Sequence, residues 1–331
     1  MQGGKKWLFA ALFAGLSGVV MAQEEVVLRI EGLSNEPKAN LEAYLGKLTA
    51  EDLQNWRETQ TRLRRAAREA MEAVGYYQSA VRFTPQGNQV LVSVIPGEPV
   101  IVRHMELRYH GEASNDIAFT ALLDTLPLGE GDVFHHGRYE AVKSLVQNMA
   151  LERGYFAGEW KVHDVVVTQP GQTVDIRLDY DSGPRYHFGD VVFSSLNPDR
   201  PLPLQLEWLE KLTPFLPDDY YEASKIIEFN KALLDSRYFN EVRVRAETDL
   251  AVNERVPVNV LLSSENPNQL DLGLGYATDI DARVSVSWRR PLLNDRGHSI
   301  EAATEISSVR QSATFRYGIP WTHPLNDTLQ F

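Results

Sequence analysis

Apolar residues recur along this chain with two different periods, and the switch between them divides it. Through Ser264, stretches with apolar side chains three or four apart alternate with stretches in which every second residue is apolar; from Gln269 onward only the period of two remains. The first spacing lines one face of a helix, the second one face of a strand.

Three helical stripes stand out: Leu63, Ala67 and Met71; Val142, Val146 and Ala150; Phe229 and Leu233. Core packing of an amphipathic helix on a sheet accounts for all three. Each stripe runs into an aromatic pair, in Gly75-Tyr76-Tyr77, Gly154-Tyr155-Phe156 and Arg237-Tyr238-Phe239. The pairs recur about every 80 residues, and such a period marks a copied module. They are expected to clamp each helix to its sheet. Glycine before the first two pairs supplies a left-handed cap; Arg237 is expected to leave the third helix end without one.

After each pair come two extended runs and a turn. These are Ser79 to Thr84 and Val90 to Ile95 around Pro85-Gln86-Gly87-Asn88, then Glu159 to Thr168 and Val174 to Asp181 around Pro170-Gly171. The third set is Glu241 to Glu247 and Val256 to Ser263 around Asn253-Glu254. All three read as hairpins. Before each stripe stand another strand (Val26 to Glu31, Val100 to Tyr109, Tyr186 to Phe193) and a shorter helix (near Pro37 to Leu45, Asp116 to Leu123, Leu204 to Leu212). Each module therefore reads β-α-α-β-β, a small α+β fold with helices on one face of a three-stranded sheet. The copies fill residues 23–97, 98–182 and 183–265. Their junctions, Pro96-Gly97-Glu98-Pro99 and Ser182-Gly183-Pro184, are expected to be semi-rigid bends.

Residues 266–331 form a different segment. Leu270, Leu272, Leu274 and Tyr276 alternate with Asp271, Gly273 and Gly275; Val284, Val286 and Trp288 with Arg283, Ser285, Ser287 and Arg289. Ile300, Ala302, Thr304 and Ile306 oppose Glu301, Ala303 and Glu305, and Ala313, Phe315 and Tyr317 oppose Thr314, Arg316 and Gly318. Stretches of about 10 residues, apolar on one side and charged or small on the other, mark an antiparallel transmembrane β-barrel. A soluble antiparallel sheet with one wet face alternates in the same way. Turns at Thr278-Asp279, Asn294 to Gly297 and Pro320 to Asn326 suit either. About four strands fit, with another starting at Thr328, whereas a closed membrane barrel needs about eight or more. The segment is thus expected to be a truncated barrel that continues past Phe331.

Lys5 and Lys6 precede an apolar stretch from Trp7 to Val20 that ends in Val20-Met21-Ala22, so residues 1–22 read as an export signal with Gln23 as the mature start. The formal net charge of -12 argues against a nucleic-acid partner, whose phosphates would be repelled. The chain has no cysteine, so no disulfide framework holds it and each module needs its own core. Catalytic signatures are missing: no Gly-x-Ser-x-Gly elbow, no His-Glu-x-x-His helix and no phosphate-cradling loop. His135-His136 is a poor metal pair, because adjacent side chains on a helix diverge. No enzyme, metal or cofactor is expected.

The repeated modules with their Gly-Tyr-Tyr and Gly-Tyr-Phe pairs, followed by Leu272-Gly273-Leu274-Gly275-Tyr276, resemble a known family. It is the outer-membrane assembly superfamily, with its polypeptide-transport-associated (POTRA) arm and opening barrel strands. Three modules and the run from Asn266 to Trp288 are most similar to its translocation-and-assembly-module branch. The resemblance implies a periplasmic arm on an outer-membrane barrel that helps insert β-barrel proteins and autotransporters. It also implies three contacts: a TamB-like inner-membrane-anchored partner, unfolded outer-membrane client polypeptides and outer-membrane lipid.

Backbone pairing supplies a mechanism that needs no nucleotide, because an exposed strand edge accepts any extended client. The candidate edge is the first barrel strand, Leu270, Asp271, Leu272, Gly273, Leu274, Gly275 and Tyr276. Its glycines either weaken pairing there or relieve crowding. Two other readings remain, a two-partner secretion pore and a soluble periplasmic scaffold.

Overall fold

The computed structural model describes residues 25–168, 172–264, 268–277, 281–307, 311–324 and 327–331. The expected export signal at 1–22, the expected turns at Pro170-Gly171 and Thr278-Asp279, and Asn266 and Asn326 lie outside them. The chain divides into two compact units. One runs to Ile101 and adds Gly131–Gly137 and Thr168–Thr173; the other holds Val102–Glu130, Arg138–Val167 and Val174–Phe331.

In the first unit the order is β1 (Glu25–Glu31), α1 (Asn35–Leu45), β2 (Leu48–Thr49), α2 (Ala50–Gln54), α3 (Trp56–Ala73), β3 (Ala80–Gln86) and β4 (Gln89–Ile95). The sheet runs β2-β1-β4-β3, with β1 parallel and β3 antiparallel to β4. It has four strands where three were expected. Gly46, at φ +63, ends α1 and turns the chain so that Leu48 is fully buried and β2 pairs with β1. Leu63, Ala67 and Met71 pack with Phe83, Val90 and Val92. Burying each large side chain of this kind contributes about 1.5–3 kcal/mol.

The first hairpin turn is shorter than expected. Pro85 and Gln86 belong to β3 and pair with Val90 and Gln89, which leaves Gly87-Asn88 as a two-residue loop. Proline fits because β3 is an edge strand, so its missing N–H breaks no ladder bond.

The second unit holds β5 (Ile101–His110), α4 (Ile117–Leu122), α5 (His136–Glu152), β6 (Glu159–Thr168) and β7 (Thr173–Asp181). It continues with β8 (His187–Ser195), α6 (Leu206–Glu210), α7 (Ala223–Asp235), β9 (Glu241–Ala246) and β10 (Arg255–Ser263). Two three-stranded sheets result, ordered β5-β7-β6 and β8-β10-β9. In every module the last strand is central, and its alternate residues are buried: Val90, Val92 and Val94; Val174, Ile176 and Leu178; Val256, Val258, Val260 and Leu262. The turn before β10 is tight. Asn253 and Glu254 are both left-handed, and Val252 and Arg255 exchange two backbone bonds of 3.1 Å.

The third helix end corrects an expectation. Arg237 itself adopts the left-handed conformation, at φ +58. In the first two copies the amides of Tyr76 and Tyr155 donate directly to the carbonyls of Met71 and Ala150, both at 2.8 Å. In the third, the Ser236 hydroxyl stands between the two groups. It accepts from the Tyr238 amide at 3.2 Å and donates to the Leu233 carbonyl at 2.6 Å. The cap geometry is kept, but a left-handed L-residue costs about 1–2 kcal/mol. Arg237→Gly is therefore expected to stabilise this unit by about 0.5–1 kcal/mol, after allowing for glycine's freer unfolded state and the lost cation at the helix end. A denaturant midpoint that stays put or falls would show that the arginine side chain offsets its own strain.

The chain then forms an antiparallel meander of β11 (Gln269–Ala277), β12 (Asp281–Arg290), β13 (Ser299–Ser307), β14 (Gln311–Pro320) and β15 (Thr328–Gln330).

Candidate functional site

The alternation along these five strands becomes two chemically distinct faces because the registers align. On one face Leu270, Trp288, Ala302 and Phe315 stand in one row, Leu272, Val286, Thr304 and Ala313 in the next, and Leu274, Val284 and Ile306 beyond. This face is open: Leu272 is 73% exposed and Leu274 87%. On the other face Gln269, Arg289, Glu301 and Arg316 form a row, followed by Asp271, Ser287, Ala303 and Thr314. Glu301 takes Arg289 at 3.3 Å and Arg316 at 3.4 Å, and Arg283 donates to Glu305 at 2.6 Å. Such an alternation saturates charges on one side and leaves a continuous apolar surface on the other.

All seven residues from Leu270 to Tyr276 lie in β11, an edge of the sheet that pairs with β12 alone among the described residues. Its two glycines differ. A Cβ on Gly273 would sit 2.4 Å from the Ser285 hydroxyl, whereas one on Gly275 would meet nothing within 4 Å. The only crowding at the first is a serine hydroxyl that can rotate away, and the second has no steric reason.

The aromatic pairs do more than one job. Tyr155 lies in a core with Phe119, Val146 and Ala150, while Tyr76 packs beside Leu63 and Met71. Phe156 instead reaches the core built around Phe188 and Phe229, edge-on to Tyr186 and Tyr221. That placement departs from a clamp of its own helix to its own sheet. Tyr238 and Phe239 are buried in that same core. Burial, with the nearby Glu72 charge adding to it, pushes the Tyr77 phenol pKa up.

The glycines before the first two pairs sit in a repeated wiring pattern. The Gly75 carbonyl accepts from the Val100 amide at 2.8 Å, and the Val100 carbonyl accepts from the Phe134 amide at 2.8 Å. Gly154, Tyr186 and Tyr221 repeat it at 2.9 Å and 2.9 Å. The Tyr238 hydroxyl takes over at the third copy, facing the carbonyls of Gly297 and Pro324 at 3.3 and 3.4 Å, and burial pushes its pKa up to about 12. Gln205 adds two bonds to Asp295, both at 2.9 Å, and Leu292 is buried with Tyr238. The third module is thereby keyed to the loop between β12 and β13.

Sequence reasoning missed a buried polar cluster around the Ser182-Gly183-Pro184 junction. The Asp116 carboxylate caps α4 at the Ala118 amide, at 3.0 Å, and receives Arg153 Nε at 2.7 Å and the Tyr155 hydroxyl at 3.1 Å. Arg185 lies 3.9 Å from Asp116, donates to the Arg153 carbonyl at 2.9 Å and stacks over Tyr220 at 4.4 Å. Burial alone would raise the Asp116 pKa, but the Arg153, Ala118 and Tyr155 hydrogen bonds outweigh it and hold the carboxyl below the usual range. The one readable signal was an Asp before a helical run, a common cap.

Among the described residues no group of three or more metal-ligating side chains converges, and no helix is long and apolar enough to cross a membrane, which says nothing of a β-barrel. Residues 27–96 match the family model described as POTRA domain, TamA domain 1. The chain is similar to BamA from Haemophilus ducreyi lacking POTRA domains 1–3, at 12% identity and a TM-score of 0.55. That match covers 70% of this chain and 42% of the BamA chain, so the chain spans less than half of that relative. It is also similar to Haemophilus influenzae BamA POTRA3–5, at 16% identity and a TM-score of 0.40, over 72% of this chain and 96% of that one. CdiB from Acinetobacter baumannii matches at 11% identity and a TM-score of 0.38, over 82% of this chain and 51% of its own. At 12% identity the likeness to the Haemophilus ducreyi structure is one of fold. The chain carries a POTRA-type domain at its start and, with BamA, shares the fold of POTRA modules followed by antiparallel strands of a barrel.

Proposed function

We propose that this chain is the periplasmic arm and opening barrel strands of a TamA-like outer-membrane assembly factor in the Omp85 superfamily. It helps insert or translocate β-barrel proteins and autotransporters. Client strands pair with exposed edges in the modules and with β11, and insertion draws on strand pairing and lipid burial without nucleotide hydrolysis. A TamB-like inner-membrane-anchored protein meets the arm. The observation that carries this reading is β11, a sheet edge whose leucines belong to a continuous exposed apolar face. That face also speaks against a soluble scaffold, because a soluble monomer rarely leaves so large an apolar patch open.

The chain has no cysteine, so a single one at Leu272 gives a unique crosslinking position. During client assembly, adducts with nascent barrel strands are expected at Leu272 and not at Ala303. Adducts confined to Ser287 and Ala303 would instead fit a secretion pore that threads an unfolded chain along the polar face. The lipid assignment has its own check. Leu272→Arg is expected to cost about 2–4 kcal/mol in bilayers, as at the midplane of barrels, whereas on a wet sheet it would stay within about 0.5 kcal/mol.

A further inference from the structure

Where α7 ends, Arg237 lines a cavity of about 350 Å³ together with Asp235, Arg289, Glu301 and Arg316, so that the third module's helix end closes over the charged row of the sheet. Three arginines and two acidic residues line it, with Asp235 and Arg237 exposed to solvent. Glu301 is shared by Arg289 and Arg316. The guanidinium of Arg237 makes no hydrogen bond or ion pair among the described residues. The position is also strained: the chain keeps an arginine at φ +58 where its two sister copies use glycine. An arginine held in a left-handed conformation that its repeats reach without cost by using glycine points to a selected side chain rather than a packing need.

We infer that this cavity is a carboxylate-binding site for an extended polypeptide, with Arg237 as the binding group and Arg289 and Arg316 as its electrostatic support. The inference rests on the assembly reading above. Its chemistry follows from location. The cavity opens on the polar face of the sheet, away from Leu270, Trp288 and Phe315, so a lipid phosphate would approach the opposite side. A planar guanidinium pairs with a carboxylate through two parallel hydrogen bonds. In a chain of net charge -12, a local excess of one positive charge makes this a place where a carboxylate is attracted while the acidic remainder of the chain repels it.

The test uses the full chain in detergent micelles and a fluorescein-labelled extended peptide rich in aspartate, beside its asparagine twin. The aspartate peptide is expected to bind about tenfold more tightly, a difference of about 1.4 kcal/mol. Arg237→Gly should remove that preference and leave the twin unaffected, while Arg237→Lys, which keeps the charge and loses the two-bond geometry, retains only part of it. A C-terminally amidated peptide separates side-chain from terminal carboxylates as the source. Because Arg237→Gly is expected to raise stability, lost affinity would not reflect misfolding. Equal affinity for both peptides, or an Arg237→Gly variant that binds like the parent, overturns the inference. If Leu272 adducts persist in that case, the assembly reading stands alone. If they are absent while Arg237-dependent binding remains, the site stands and the assembly reading falls.

Discussion

Alanine at Gly75 is expected to destabilise the first unit by about 2–5 kcal/mol, the sum of a left-handed backbone cost and an overpacking cost. Gly75 has φ +90, and an added Cβ would lie 2.4 Å from the Phe134 carbonyl oxygen and 3.1 Å from a Val133 methyl. The carbonyl cannot retreat, because the Phe134 amide is tied to Val100 and Val100 to Gly75. Gly154→Ala should act alike in the second unit, where φ is +84 and the new methyl would meet Tyr221 Cβ at 2.8 Å. Gly87→Ala is the control: φ is +62, yet nothing lies within 4 Å. It isolates the backbone term, about 1–2 kcal/mol. Chemical denaturation of the three variants measures the difference. Similar losses at all three would mean that the wiring around Gly75 and Gly154 gives way, and that these glycines serve conformation alone.

The second large effect is expected at Asp116. Its replacement by alanine leaves Arg153 and Arg185, both mostly buried, without their shared anion, and breaking a buried pair from one side costs about 3–5 kcal/mol. Asp116→Asn should cost less, since the amide oxygen in the Oδ1 position can still accept from the Ala118 amide and keep the helix cap. The pH dependence has a definite sign. The folded carboxyl has a lowered pKa, so its stabilisation is complete above the unfolded carboxyl value and disappears as pH falls through the lower, folded one. Wild-type stability should therefore drop across that acidic interval, and the Asp116→Ala variant should drop less. Parallel pH profiles would rule out Asp116 as the group responsible. The same lesion should loosen the geometry around Ser182-Gly183-Pro184, visible as a broadened distance distribution between spin labels on α5 and α7.

Much of this architecture was legible from residue types and spacing. The stripe Leu63, Ala67, Met71 and the alternation from Leu270 to Tyr276 both follow from local backbone geometry. A helix advances a face every three to four residues and a strand every two, whatever the chain packs against. The repeat itself was readable for the same reason. The boundary errors were local too: Pro85 reads as a turn residue in sequence, and only its place on an edge strand makes it tolerable in β3. Arg237 was misread because residue type argues against a left-handed conformation, while the Ser236 relay and the surrounding core impose one.

What the sequence by itself determined is the set of faces: which side chains point together along each helix and strand, how many copies there are, and where the period changes. Only the tertiary structure decided what those faces meet. Phe156 enters the core beyond its own module, Asp116 collects Arg153 and Arg185 from positions 37 and 69 residues away, and Glu301 joins arginines from two neighbouring strands. Periodicity is a property of consecutive residues, whereas charge pairing and close approach depend on distances between groups far apart in the chain, and folding alone sets those.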